Sequence, residues 1–287
     1  MAVSVKDLTY IYMKGSPFEK KALDNISLDI DDGEFVGIIG HTGSGKSTLI
    51  QHFNGLLKPS SGRVVINGVD VAGKNLKDLR KKVGIVFQYP EYQFFEETVY
   101  RDIAFGLHKQ GLSENEVKTR VNESISAVGL DAAVLDKSPF ELSGGQKKRL
   151  SIAEILVMRP EILIMDEPTA GLDPKGRDDV FSFVRKYHKS AGITTILVSH
   201  YMEDIARLVD RVIVLNKGSI AMDGPVGEIF DKTDELDKMG LSAPQVTYLM
   251  KRLHRVFPEI KGNVYTVEEA RRELLDFAKG RKPGFVK

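Results

Sequence analysis

The chain has 287 residues, 42% hydrophobic and 28% charged, with 41 Lys+Arg against 40 Asp+Glu and no cysteine. That length fits one large domain or a domain with an appendage. The charge balance gives no support to nucleic-acid binding, and the lack of cysteine excludes disulfides and thiolate metal sites.

No apolar run approaches the roughly 18–20 residues of a membrane helix. The N-terminus shows no basic-then-apolar signal pattern. Any work at a membrane is therefore expected to go through a partner. The first stretch, to about Asp70, reads as β-rich: Ile26 to Ile30 alternates, and Val64 to Ile66 followed by Asn67-Gly68 reads as strand and turn. Tyr12 is a candidate for stacking on an adenine, with Tyr10 competing. Phe35 to Ile39 is apolar on both faces, as in a strand buried inside a parallel sheet. Val83 to Phe87, Ile162 to Met165, Thr194 to Val198 and Val212 to Leu215 are similar. With helical patterns between several of them, the chain reads as an α/β sheet with crossover helices.

The segment GIIGHTGSGKST, Gly37 to Thr48, follows the first such strand and opens a helix. Gly40-x4-Gly45-Lys46-Ser47 within it is a phosphate loop. Gly40, Gly43 and Gly45 allow the backbone to aim successive N–H groups at an anion. Lys46 is expected to reach the β- and γ-phosphates, and the Ser47 hydroxyl to ligate Mg²⁺. Thr42, Ser44 and Thr48 complete the expected contacts to a nucleoside triphosphate, a ligand that kinases, GTPases and motors share, while His41 reads as a variable position of the loop. Gln88 follows the next buried strand, where an amide can touch Mg²⁺ or the attacking water.

From about residue 89 to 160 the pattern becomes mostly helical. Ser113 with Glu116 is a capping box, Val117, Val121, Ser124 and Val128 mark one face, and Gly129 is the stop. In LSGGQKKR, Leu142 to Arg149, Ser143 and Gln146 have capping-box spacing, yet the first turn carries two glycines. Glycine costs a helix about 1 kcal/mol against alanine. A bare helix start does expose N–H groups that suit an anion. ILIMDEPTAGLDP, Ile162 to Pro174, is a strand ending in two carboxylates. Asp166 is placed to hold Mg²⁺ through water, and Glu167 to polarise the attacking water as general base. His200 leaves another buried strand at the carboxyl edge of the sheet, placed to touch the γ-phosphate or align water and Glu167.

Beyond about Gly224, Val246, Leu249, Met250, Leu253, Val256 and Phe257 form a stripe near period 3.6. Thr266 with Glu269 caps a helix carrying Val267, Ala270, Leu274 and Phe277. This reads as a small helical appendage with a solvated basic tail from Lys279 to Lys287.

Gly40 to Ser47, Gln88, Leu142 to Gln146, Ile162 to Glu167, Ala170 to Asp173 and His200 occur in the order found in ATP-binding-cassette ATPases, which the chain resembles over about residues 1–225. The resemblance implies an α/β RecA-like core of the P-loop NTPase type. Around it stand an N-terminal antiparallel β-subdomain, a helical signature subdomain at about 89–160, and a C-terminal helical domain over 226–287. It further implies that two such domains pair head to tail around two ATP molecules. Ser143, Gly144, Gly145 and Gln146 then serve the partner's ATP, and Asp173 lies at the dimer seam. The cofactors implied are ATP and Mg²⁺, the ion held by Ser47, Gln88 and Asp166, and the activity is ATP hydrolysis with Glu167, His200 and Gln88 at the reacting end.

GSPFEKKAL, FQYPEYQFFEETV and AGLDPKGR are similar to the ATPases of energy-coupling factor importers of vitamins or of cobalt and nickel ions, of the second-type paralogue. That implies a cytoplasmic-face peripheral subunit, paired with a paralogous ATPase or with itself. It also implies a transmembrane scaffold subunit and a substrate-binding membrane subunit. The scaffold is expected near Gln88 and Glu91 to Thr98, where Glu91, Glu96 and Glu97 either meet scaffold arginines or form a solvated acidic face. The alternatives are another transporter of the same superfamily, or a soluble cassette ATPase of DNA repair or translation.

Overall fold

The computed structural model describes residues 1–88 and 93–280. Two sheets stack on each other. The first is antiparallel, in the order β2-β1-β4-β5, from β1 (Val3–Tyr12), β2 (Lys20–Ile30), β4 (Ser61–Ile66) and β5 (Val69–Asp70). The second has six strands in the order β10-β9-β3-β8-β7-β6. Its parallel members are β3 (Phe35–Ile39), β6 (Val83–Val86), β7 (Ile162–Asp166), β8 (Thr194–Val198) and β9 (Arg211–Asn216). The edge strand β10 (Ser219–Pro225) is antiparallel to β9.

The apolar runs become strands because both faces of the central sheet are covered. Along β7, Ile162 and Ile164 point into the core shared with the antiparallel sheet, and Leu163 and Met165 point into the core shared with the helices. Every residue of β3, β7 and β8 is buried, so the two-residue period sorts side chains between two cores and leaves none for water. The first core also takes Leu49, Ile50 and Phe53 of α1 (Lys46–Phe53), the helix that follows β3.

A short helix, α2 (Lys77–Lys82), leads into β6. The helical region contains α3 (Val99–Lys109), α4 (Glu114–Ala127) and α5 (Gly144–Leu156). Its caps are those the sequence signals: Ser113 accepts from the N–H of Glu116, and Gly129 stands at φ 68° after α4. The core helices α6 (Pro174–Ala191) and α7 (Met202–Leu208) follow β7 and β8.

The C-terminal part holds α8 (Val226–Asp231), α9 (Thr233–Lys238), α10 (Gln245–Val256) and α11 (Val267–Gly280). Ile229, Phe230 and Leu236 of α8 and α9 join the main core, whereas Met250, Ile260, Val264 and Ala270 form a small separate one. The C-terminal part therefore packs in two ways, α8 and α9 with the main core and α10 and α11 around a small one of their own. Three positions of the expected apolar stripes face outward: Leu249, Val256 and Val267 are 51%, 67% and 63% exposed. Two helices closing over so small a core leave their flanks uncovered. Of the basic tail, residues 281–287 lie outside the described residues.

Candidate functional site

The chemistry is gathered along one line, the carboxyl edge of the parallel strands. There β3 runs into the phosphate loop, β8 into His200, β7 into Glu167 and β6 into Gln88. This is the edge at which open α/β sheets bind ligands. A chamber of about 710 Å³ opens there. It is lined by Tyr12, Gly40, Thr42, Gly43, Gly45, Lys46, Ser47, Thr48, Gln88, Asp166, Glu167 and His200, which the sequence reading had selected from five separate stretches.

Gly45 caps α1 at φ 105°, and a Cβ there would lie 2.8 Å from the Ala22 carbonyl. Only glycine fits both the dihedral and the space. Lys46 Nζ donates to the carbonyls of Gly40 at 2.6 Å and His41 at 3.1 Å, so the ammonium folds back across its own loop. Burial lowers its pKa, against the opposing pull of Glu167 and Asp166. Ser47 Oγ donates to Asp166 Oδ2 at 2.9 Å. Burial raises the Asp166 pKa, while the Ser47 hydroxyl and the Lys46 charge hold it down.

Glu167 is 8% exposed and takes a left-handed backbone, φ 51°, immediately after β7. Its N–H donates to the Val198 carbonyl at 3.0 Å. That sharp exit turns the carboxylate towards the next strand, where its Oε1 stands 2.7 Å from His200 Nδ1. A non-glycine residue in this region is strained, and here the strain brings an acid and an imidazole together at the chamber wall.

Tyr12, 37% exposed, lines the chamber with its hydroxyl 3.1 Å from Thr48 Oγ1. Tyr10 instead packs edge-on against Tyr12 and His52. Ser44 does not line the chamber with its side chain, which is fully buried under the loop. Lys20, Ala22, His41, Met202 and the turn Gly240 to Ser242 line the chamber without having been singled out. They arrive from β2, α7 and the chain after α9, and no local pattern marks them. His41 alone sat inside a motif; its ring nitrogens face the Thr42 carbonyl at 2.8 Å and Asn216 Oδ1 at 3.3 Å.

Ser143, Gly144, Gly145, Gln146 and Asp173 do not line this chamber. Ser143 accepts from the Gln146 N–H while Gln146 Oε1 accepts from the Ser143 N–H, a complete capping box at the start of α5. Ser143 and Gly144 are exposed. A Cβ on Gly144 would meet nothing within 4 Å, and one on Gly145 would meet only Leu172 Cδ2, at 3.7 Å. Neither glycine is required by the packing of its own chain. Asp173 caps α6 by accepting from the Gly176 N–H at 2.9 Å.

Among the described residues no group of three or more His, Cys, Asp or Glu could cage a metal. The Ser47 hydroxyl beside the Asp166 carboxylate is instead the sparse oxygen pair that suits a cation completed by phosphate oxygens and water.

A strand–loop–helix phosphate cradle, an acidic strand end and a histidine on the neighbouring strand define a P-loop ATPase cassette, and the chain belongs to the ABC transporter family, whose pattern matches residues 23–170. Over its length it is similar to the energy-coupling factor transporter ATP-binding proteins EcfA2. That of Acetivibrio thermocellus is 59% identical, covering 96% of this chain and 99% of the relative. That of Clostridium tetani is 54% identical, covering 96% of each. Among solved structures, cbiO1 of Clostridium perfringens, part of the ABC transporter complex cbiONQ, superposes with a TM-score of 0.74 at 39% identity, over 87% of this chain and 98% of that one. The ATP-binding cassette MJ0796, a dimer in a post-hydrolysis state bound to ADP and Pi, gives 0.72 at 30% identity, over 78% and 98%.

Proposed function

We propose that this chain is the ATP-binding and hydrolysing subunit of an energy-coupling factor importer, driving uptake of vitamins or transition-metal ions through membrane partners by head-to-tail nucleotide-sandwich dimerisation. One observation carries the dimeric reading. The glycine pair at the start of α5, with Gly144 exposed and Gly145 half-buried, is not required by the packing of its own chain, while the chain's own chamber already has a phosphate loop. A bare, positively polarised helix start fits a γ-phosphate brought by a partner. The partner is a paralogous ATPase or a second copy, with Asp173 at the seam.

In this reading Lys46 leaves the Gly40 and His41 carbonyls for the β- and γ-phosphates. Tyr12 stacks on the adenine. Glu167 takes the proton of the attacking water as it adds to the γ-phosphorus, and His200 holds that carboxylate in line. Mg²⁺, held by Ser47, Gln88 and, through water, Asp166, would neutralise charge on the β- and γ-phosphates. The remaining residues supply orientation: the loop N–H groups fix the phosphate chain, and dimer closure excludes water.

The likeness to EcfA2 proteins supports the import role. No helix among the described residues is long and apolar enough to cross a membrane, so a membrane scaffold subunit carries the spanning segments and a second membrane subunit the substrate. The docking face is the surface beyond Gln88. There Phe95 is 60% exposed and stacks edge-on against Phe105 at 4.7 Å. Glu97 is already paired with Arg101 at 2.6 Å, which leaves Glu96 for a scaffold arginine; Glu91 lies outside the described residues. The assembly sits on the cytoplasmic face.

Complementation tests the sandwich. Ser143→Arg and Lys46→Ala chains are each expected to be inactive alone. Mixed with each other, or each with a paralogous ATPase carrying the complementary change, they form dimers with one working site of two, and activity returns in part. No recovery in either pairing, with ATP binding intact in the Ser143→Arg chain, would refute the shared site.

A further inference from the structure

A guanidinium, a phenol ring and an imidazole follow one another towards Glu167. Arg177 of α6 holds its guanidinium carbon 4.0 Å from the centre of the Tyr201 ring. The Tyr201 ring lies 4.2 Å from that of His200, tilted by 35°. His200 Nδ1 in turn stands 2.7 Å from Glu167 Oε1. Neither Arg177 nor Tyr201 lines the chamber. The series begins one helical turn from Asp173, whose carbonyl accepts from the Arg177 N–H at 3.0 Å.

Local structure accounts for neither residue. Tyr201 is the N-cap of α7, where Ser, Thr, Asp or Asn would satisfy a free N–H, and it makes no side-chain cap bond. Neighbouring residues of an extended chain point to opposite sides. Here the Tyr201 N–H donates to Ser199 Oγ at 3.0 Å, a turn that brings the His200 and Tyr201 rings together. Arg177 faces Asp204 of α7, but at 3.8 Å, beyond hydrogen-bond distance. The Arg177 Nε and the Asp204 Oδ2 are both buried without a hydrogen-bond partner. Between the same two helices Arg207 closes on Asp178 at 2.7 Å, so this packing does allow a tight pair. Arg177 forgoes one and lies over the ring, where a planar guanidinium is attracted by the π face.

His200 needs such support. Its side chain is 55% exposed, against 10% for Glu167, and an exposed side chain keeps rotamer freedom that one hydrogen bond open to water does little to remove. We propose that Arg177 and Tyr201 are positioning residues of the hydrolytic site: the guanidinium clamps the Tyr201 ring, and the ring holds the His200 imidazole at Glu167. This rests on Glu167 acting as the base, as proposed above. It makes the placing of His200 depend on the first turn of α6.

ATP hydrolysis by the assembled ATPase pair, with a paralogous partner's own base removed, tests the stack. Tyr201→Leu is expected to lower kcat about 10- to 100-fold, the range for a misplaced reacting group. KM for ATP should stay within about twofold, since no ground-state contact to the nucleotide is lost. Tyr201→Phe keeps the ring and should stay within about twofold of wild type in both. Arg177→Met loses the cation and should lower kcat about 2- to 5-fold. On a His200→Ala background, read by single turnover, both losses should shrink to about twofold or less, because nothing remains to be positioned. Thermal melts identify a variant that does not fold; if Tyr201→Leu is one, Arg177→Met carries the same cycle. Failure of the underlying reading shows separately, as wild-type turnover by Glu167→Gln, and the stack falls with it. With Glu167→Gln inactive, three results overturn the stack alone: wild-type kcat in Tyr201→Leu, Tyr201→Phe as slow as Tyr201→Leu, or equal losses with and without His200.

Discussion

Gly144→Ala separates what a helix start needs from what a partner's phosphate needs. The new Cβ meets nothing within 4 Å in the chain itself, so it brings no clash. Replacing glycine by alanine in a helix gains up to about 1 kcal/mol, less in a first turn than in an interior. The monomer should thus unfold at the same temperature or a few degrees higher. Turnover should move the other way, because the methyl stands on the face offered to a γ-phosphate and holds it off the N–H groups. Losing one preorganised oxyanion donor costs about 100- to 1,000-fold. A displaced rather than deleted donor should cost about 10- to 100-fold, or roughly 1.4–2.7 kcal/mol of barrier. The assay is steady-state ATPase with a thermal melt on the same preparation and an ATP-binding titration, expected unchanged because the chain's own chamber is intact. A variant that melts higher and hydrolyses ATP at the wild-type rate would show that the bare turn receives no phosphate.

Glu167→Gln keeps a hydrogen-bonding group beside His200, which stands 2.7 Å from the carboxylate, but removes the base; ATP binding should persist while turnover falls about 100- to 10,000-fold. Near-normal single-turnover rates would exclude Glu167 from that role. Asp204, 5% exposed, has its pKa raised by burial to about 6, with Arg177 and Arg207 opposing. The folded state then holds a proton that the unfolded state releases, so stability falls as pH rises from about 4 to 6. Asp204→Asn should cancel up to about 3 kcal/mol of that loss; denaturation curves at pH 4.5 and 7.5 that keep the wild-type difference would refute it. Met250→Ala empties the centre of the small C-terminal core, where Met250 is 0% exposed. At about 2–5 kcal/mol it should loosen α10 and α11 first, seen as early proteolysis there with ATP binding retained.

The strands of the central sheet were legible because they are buried on both faces, so plain apolar runs such as Ile162 to Met165 carry the signal. The caps were legible because Ser113 and Ser143 act within three residues of themselves. The chamber was legible where its chemistry is local to a motif. It was not where the wall is tertiary: Ala22 comes from β2, and Gly240 to Ser242 from a turn more than thirty residues beyond His200. At Ser44 the sequence does not tell side chain from backbone: the tight glycine path of the loop places this side chain under it, so a phosphate contact there would be made by the N–H. Periodicity also misread Leu249 and Val256, because a 3.6-residue stripe does not tell how wide a surface the neighbouring helix covers.

Charge explains why the two phosphate grips have to work together. At the reacting end of the chamber, one ammonium, Lys46, faces two carboxylates, Asp166 and Glu167, and both act on it electrostatically. That end is negative before any nucleotide enters, yet it must hold a triphosphate. Loop N–H groups and the start of α1 offset part of the repulsion. A divalent cation held beside Ser47 and Asp166 would offset more. What is still missing when the γ-phosphate gathers charge in the transition state is a positive potential on its open side. The chain makes such a potential at the start of α5 but does not turn it towards its own chamber. On the proposed function, Glu167 can sit close enough to serve as a base only if the repulsion it causes is balanced from outside, so hydrolysis is expected to wait for a partner's helix start, and a separated chain is expected to bind ATP without spending it.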